Sequence, residues 1–265
     1  MLIAHISDSH IAKRNKKAYG VAPTDENLTQ CIEHINQFIP KPDLVLITGD
    51  ITYSGSLEEA EYAASLLDKL QYPYYIVPGN HDDRSTLWSV FKKHACPCKS
   101  KEFINYVLEG YEIRLIGMDS TIPASPGGEI CKKRITWLEK QLAKEGEKAT
   151  VIFMHHPPAK CGVLETDEDG FIGADRLGNV IAKHRNIKAI LSGHIHLVTH
   201  LGWCGTVIST APSMGLQLVL DLTLTQPSEF TLEAPGYRLH YFTPEMNFVS
   251  HSIIVKTVDD GPYPF

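Results

Sequence analysis

Five short polar clusters, each set directly behind an apolar run, constrain this sequence more than any other feature. They are Asp8-Ser9-His10, Gly49-Asp50, Gly79-Asn80-His81-Asp82, His155-His156 and Gly193-His194-Ile195-His196. The runs before them, such as Leu44–Thr48 and Thr150–Met154, show no alternation of polar and apolar residues, the pattern of strands covered on both faces. Helices are the usual cover, and the intervening segments read as helices. Residues 25–39 place Leu28, Cys31, Ile32, Ile35 and Phe38 at helical spacing before Pro40 and Pro42 stop the run. Ser56 and Glu59 form a capping box for a helix expected to reach about Leu70. Further helices are expected over 135–144 and 175–184, and Val107 to Met118, folded at Glu109-Gly110, reads as a hairpin. Strand, loop and helix in repetition give an α/β class with a layered core. In open sheets of this kind the loops beyond the strands' C-terminal ends converge on one crevice. Clusters far apart in sequence can therefore meet at one point.

The last fifty residues break this rhythm. Residues 212–240 carry turn formers and Thr-rich runs without a helical pattern, and Tyr237–Tyr241 with Val249–Val255 read as closing strands. The expected organisation is a core over 1–211 and, in the same domain, a β-rich C-terminal segment over 212–265 that caps the crevice or joins subunits of a homo-oligomer. No apolar stretch approaches the roughly 18–20 residues that span a bilayer, so membrane insertion is not expected. Residues 1–8 read as the start of a buried strand, not as a signal peptide. The six cysteines lack zinc-ribbon or Cys-x-x-Cys spacing and read as reduced thiols of a cytoplasmic protein; for the close pair Cys96-Pro97-Cys98 a soft-metal site or a strained disulfide is the lesser alternative. The formal charge of −6, with Arg14–Lys17 and Lys132–Arg134 as the basic clusters, argues against long nucleic acid as a partner.

Taken singly, each cluster has an ordinary structural reading. Asp-x-His or Gly-Asp behind a strand can be a turn, Asn80 and Asp82 can cap a helix near Arg84, and His155-His156 can be exposed. His194 and His196, two apart, share a face of an extended segment. All five ordinary readings would have to hold together, each at a strand end. The alternative is one site of carboxylates, imidazoles and an amide oxygen without thiolate. That donor set suits Mn, Fe, Zn or Co, not a structural zinc or a calcium cage. Two such ions lie about 3.5–4 Å apart around a bridging group, which Asp50 can supply. Two divalent ions, two carboxylates and one hydroxide leave a single positive charge, which matches a phosphodiester monoanion.

In this order, the clusters resemble the calcineurin-like metallophosphoesterase superfamily. Ala4–His10, Pro78–Asp83 and Phe153–Pro158 bring the resemblance nearest to its bacterial class III cyclic-nucleotide phosphodiesterases and related glycerophosphodiesterases. It runs from Ile3 to about Thr210. Protein Ser/Thr phosphatases resemble the chain less, because their third motif usually has Glu where Asp82 stands. The resemblance implies a four-layer α/β/β/α sandwich and a pair of divalent transition-metal ions. One ion would be held by Asp8, His10, Asp50 and His196, and the other by Asp50, Asn80, His155 and His194. His81 would face the phosphate, stabilising the transition state or protonating the leaving alkoxide. His156 and Asp82 are candidates for supporting or substrate-side roles, Asp82 by orienting His81 or capping a helix.

The implied reaction is in-line attack on phosphorus by a hydroxide bridging two metals, with a small-molecule phosphodiester as the partner. A 3′,5′-cyclic nucleotide is the first expectation and a glycerophosphodiester or lipid head-group diester the second. A phosphomonoester or a non-catalytic interaction role is more remote, since no ligand position is missing. The loop behind His10 offers Arg14 and Tyr19 to a substrate. Trp203, Phe230 and Tyr237 could stack a base but read first as core residues.

Overall fold

The computed structural model describes residues 1–255 apart from residues 93, 94, 145 and 246. Residues 256–265 of the expected C-terminal segment lie outside the described residues. The chain opens with β1 (Leu2–Ile6), α1 (Thr24–Gln37), β2 (Leu44–Thr48), α2 (Leu57–Leu67), β3 (Tyr74–Val77) and α3 (Arg84–Phe91). It continues through β4 (Tyr106–Leu108), β5 (Arg114–Gly117), β6 (Thr121–Ile122), β7 (Ser125–Glu129), α4 (Lys132–Leu142) and β8 (Thr150–Phe153). Then come α5 (Leu164–Asp169), β9 (Phe171–Ile172), α6 (Ala174–Ile181), β10 (Ile187–Ser192), β11 (His200–Trp203) and β12 (Thr206–Thr210). The final elements are β13 (Leu216–Leu218), β14 (Phe230–Leu232), β15 (Gly236–Phe242) and β16 (Phe248–Ile254).

Two sheets carry the architecture, one in the order β16-β15-β1-β2-β3 and the other β11-β12-β10-β8-β5-β4. The middle strands of each are parallel: β1 on β2 from Ile3↔Leu44 and β8 on β5 from Thr150↔Arg114. The period of two along a strand divides the second sheet between two cores. Leu115, Val151, Phe153 and Leu191 face the first sheet, in a core shared with Leu46 and with Leu28, Ile32 and Ala63 of α1 and α2. Their chain neighbours Ile116, Ile152 and Ile190 face the other way, onto Ile135 and Leu138 of α4 and Leu177 and Ile181 of α6. The result is the expected α/β/β/α four-layer sandwich.

Both elements of the capping box are in place, with the Ser56 hydroxyl accepting from Glu59 N–H and the Glu59 carboxylate accepting from Ser56 N–H. The hairpin at Glu109-Gly110 pairs Tyr106 with Gly117. Helix α4 starts at Lys132, three residues before its apolar face begins at Ile135. The closing strands form β15 and β16, and β15 lies antiparallel to β1, so the chain's last described hairpin completes the first sheet. A short three-stranded sheet, β6-β7-β9, was not anticipated; β7 reads Ser-Pro-Gly-Gly-Glu and offers no apolar pattern to find.

Candidate metal centre

The clusters lie past the C-terminal ends of parallel strands drawn from both sheets. Asp8 and His10 follow β1, Asp50 follows β2, Asn80 and His81 follow β3, His155 follows β8, and His194 and His196 follow β10. Beyond the strand ends the first two loops stay in register, with Asp8 N–H donating to Gly49 O and His10 N–H to Asp50 O at 3.1 and 2.8 Å. Close approach of the loops depends on glycine. A Cβ on Gly193 would collide with Ser7 Oγ, and one on Gly49, whose φ is 88°, would come within 2.7 Å of His155 Nδ1. Five clustered residues that are not glycine also stand at positive φ: Asp8 (52°), His10 (40°), Asp50 (46°), His194 (72°) and His196 (54°).

Side-chain donors of Asp8, His10, Asp50 and His196 fall within 4.8 Å of one another, all of them buried. His10 Nε2 lies 3.0 Å from His196 Nε2, and Asp8 Oδ1 is 3.4 Å from the latter. A second group is built on His155, whose Nε2 lies 3.0 Å from Asn80 Oδ1. Its ring centroid stands 5.0 Å from that of His194. Asp50 joins the groups: its Oδ2 is 3.7 Å from His10 Nε2 and 3.5 Å from His155 Nε2. Its Oδ1 accepts the His81 backbone N–H at 2.8 Å, which turns Oδ2 to the shared position.

Backbone carbonyls set the tautomers. A carbonyl only accepts, so His155 Nδ1–H donates to Thr48 O at 2.6 Å and His196 Nδ1–H to Leu216 O at 2.7 Å. In the neutral rings each Nε2 then carries its lone pair into the cluster. Imidazole lone pairs, carboxylate oxygens and an amide oxygen thus converge in a buried space where each repels the next. A pair of divalent ions fits that donor set, and the chemistry of the donors asks for them. Without ions, a proton is the remaining cation. Burial opposes charge on His155, yet Asp50 and Asp8 outweigh it and raise the ring to about 9. His10 and His194 go the other way, each held at about 3 chiefly by burial.

His81 donates Nδ1–H to Tyr53 O at 2.8 Å, leaving Nε2 free, and its ring stands edge-on to His10 at 4.6 Å between centroids. His156 touches the cluster, its ring 4.5 Å from that of His194, but both ring nitrogens are engaged, by Ser120 Oγ at 2.8 Å and by Pro126 O at 3.0 Å. It packs the centre and offers no free lone pair. Asp82 neither caps a helix nor bonds the His81 ring, contrary to expectation. It accepts N–H groups from Ile51, Thr52 and Gly79, fastening the loop after β2 to the loop after β3. The α3 cap is its neighbour Asp83. The Arg14 guanidinium lies 4.4 Å over the Tyr62 ring of α2.

Tyr19 does border the site. Its ring is 6.0 Å from His10, 5.0 Å from Tyr53 and 5.5 Å from Phe230, an aromatic wall to which β14 contributes. Of the other stacking candidates, Tyr237 is buried against His34 and Trp203 packs on the core under α6, as first read. Two hollows flank the opening: about 400 Å³ beside Asn80 and His81, edged by Arg84, Lys101 and Thr121, and about 190 Å³ beside His156 and His194. Sequence reasoning missed Asp119, which is fully buried and pairs with Arg84 at 2.5 Å, and Ser120, which holds His156. Their signal was present: they follow β5 just as the named clusters follow their strands. The carbonyls of Thr48, Tyr53 and Leu216 leave no sequence signal at all.

A family model described as calcineurin-like phosphoesterase matches residues 1–198. The chain is 37% identical over 266 residues to a probable glycerophosphodiester phosphodiesterase, GpdQ, of Arcobacter nitrofigilis, spanning 100% of this chain and 97% of that one. It is 29% identical to the 3′,5′-cyclic adenosine monophosphate phosphodiesterase CpdA of Escherichia coli, over 89% of this chain and 83% of that one. Among solved structures, a dimetal phosphatase from Danio rerio superposes with a TM-score of 0.67 at 14% identity, covering 97% of this chain and 99% of that one, a likeness of fold.

Proposed function

The chain belongs to the calcineurin-like phosphoesterase family and is a metal-dependent phosphodiesterase, and from that premise we propose that its substrate is a glycerophosphodiester, cleaved at a two-metal centre. The observation that carries the centre is Asp50 Oδ2, placed between His10 Nε2 and His155 Nε2. Asp8, His10, Asp50 and His196 would hold one ion, and Asp50, Asn80, His155 and His194 the other. Bound there, two divalent ions polarise a phosphoryl oxygen and acidify water at neutral pH.

The chain's own groups divide the remaining work. Asp50 Oδ1 and Asp8 fasten neighbouring loops through the N–H groups of His81 and His194, which fixes where the donors point. His81, with Nδ1 committed to Tyr53 O, presents Nε2 as the ring atom able to exchange a proton with a leaving alkoxide. The hollow beside it, edged by Arg84, Lys101 and Thr121, suits a small polar alcohol. The protein is expected to act in the cytoplasm on a free small molecule; among the described residues no helix is long and apolar enough to cross a membrane. Residues 212–235 are read as a cap of the same domain, and a homo-oligomer built through that segment is part of the reading.

Substrate choice rests on extent of likeness. The glycerophosphodiesterase relative matches the whole chain, the hairpin of β13 and β14 included, whereas the cyclic-nucleotide enzyme matches less closely. A cyclic nucleotide remains the second reading, favoured by the wall of Tyr19, Tyr53 and Phe230, on which a base could stack. Turnover of glycerophosphocholine beside cyclic AMP, on Mn-loaded protein, separates the two. A higher kcat/KM for the glycerol diester is expected; preference for cyclic AMP would reverse the assignment, and preference for a phosphomonoester would remove both.

A further inference from the structure

Away from the centre, Cys96 and Cys98 face each other with Sγ atoms 3.6 Å apart, both as free thiols. The turn between them is pre-set. Cys98 N–H donates to Cys96 O at 2.8 Å, closing a three-residue γ-turn around Pro97. The inverse γ-turn needs a central φ near −75°, inside the range of about −65 ± 15° to which the proline ring confines φ. The turn is clamped from both sides: Cys96 N–H donates to Phe91 O at 3.1 Å, and Ile76 N–H of β3 donates to Ala95 O at 2.9 Å. A disulfide needs sulfurs at about 2.05 Å, so side-chain rotation must close roughly 1.5 Å on a backbone already folded back on itself.

From this juxtaposition we propose that Cys96 and Cys98 are a thiol–disulfide exchange site that takes low-molecular-weight disulfides of the glutathione class. The thiols are unlike in access: Cys96 is fully buried and Cys98 half-buried. The hydrogen bond between them lowers the pKa of Cys98, while that bond and burial raise the pKa of Cys96. The thiolate therefore forms first on the sulfur that solvent reaches. Cys98 thiolate attacks one sulfur of the reagent, forming a mixed disulfide and releasing one thiolate equivalent. Cys96 Sγ then attacks Cys98 Sγ from inside, its proton passing to the reagent sulfur that this expels outward as the second thiol. Two protein thiols are oxidised and one reagent disulfide is reduced to two thiols, and an added dithiol reverses both steps. The pair sits beside β3, the strand that leads into Asn80 and His81, and involves no residue of the metal centre.

The test is peptide mapping by mass spectrometry of the folded, metal-loaded protein after glutathione disulfide, with exposed Cys204 as the internal control for reagent access. The expected product carries a Cys96–Cys98 link, lighter by two hydrogens, beside a glutathione adduct on Cys204. In Cys96→Ser the second step is blocked, and a stable glutathione adduct on Cys98 is expected. Adduct at Cys204 with Cys96 and Cys98 still free would overturn the proposal. So would a stable adduct on Cys98 in the unmutated protein, a result that does not depend on the variant folding.

Discussion

Asp8, His10, Asp50, His194 and His196 all hang from left-handed backbone, a conformation costing a residue with a Cβ on the order of 1–2 kcal/mol. Strained backbone persists only where neighbours over-determine it, and here each loop is fastened by another: His194 N–H to the Asp8 carboxylate, His81 N–H to Asp50 Oδ1, His10 N–H to Asp50 O. The strain aims donors inward, and separable roles follow for the side chains. His81→Ala should keep its metal content while kcat falls by about 10²–10⁴, the range for loss of a positioned acid; metal analysis beside turnover checks this. Titration gives a second residue-scale test. In the stripped protein Asp50 and Asp8 raise His155 from 6.5 to about 9 against the cost of burial. A folded-state pKa raised in this way stabilises the fold fully below about 6.5, and the contribution is lost as pH rises through about 9. The unfolding midpoint of stripped protein should therefore fall across that window. His155→Gln, which carries no such proton, should flatten the dependence.

Elements differ in how much of themselves the sequence announces. The unalternating strands β1, β2, β3, β8 and β10 and their trailing clusters were legible because burial on both faces and polarity at the ends are written in residue types. Helix α1 was legible from its spacing and the capping box of α2 from two residues. The sheet of β6, β7 and β9 was not, since Ser125–Glu129 holds Pro126, Gly127 and Gly128 and pairs through backbone alone. Asp82 was misjudged because a carboxylate after a turn has several partners within reach, and only the folded loops select among them. The hairpin of β13 and β14 was recognised as β-rich, but its tie to the centre through Leu216 O and its placement of Phe230 on Tyr19 depend on tertiary contact. That tie predicts an element-scale effect. Phe230→Ala should raise KM for cyclic AMP several-fold with kcat little changed, because the wall it completes would hold the base and touches no reacting atom. An equal fall in kcat would mean the hairpin also orders the metal ligands.

The whole sandwich meets at the centre: three of its loops come from the first sheet and two from the second. Ions held there would join the sheets at one end, as the shared core joins them along their length. Metal bound to the folded state alone stabilises it by mass action, about 4 kcal/mol at a thousandfold excess over Kd. Stripping the ions should lower the midpoint of a single unfolding transition, and calorimetry with and without chelator reads the difference. A two-metal centre of this form requires Asp50 to serve two ions at once. Its most direct test is a titration of stripped protein with Mn, following bound metal and turnover of bis(p-nitrophenyl) phosphate together. Turnover that rises to a plateau at two ions per chain, with Asp50→Ala holding neither and turning over nothing, is the predicted result. Full turnover in stripped protein, or an Asp50→Ala variant that still binds two ions and works, would contradict it.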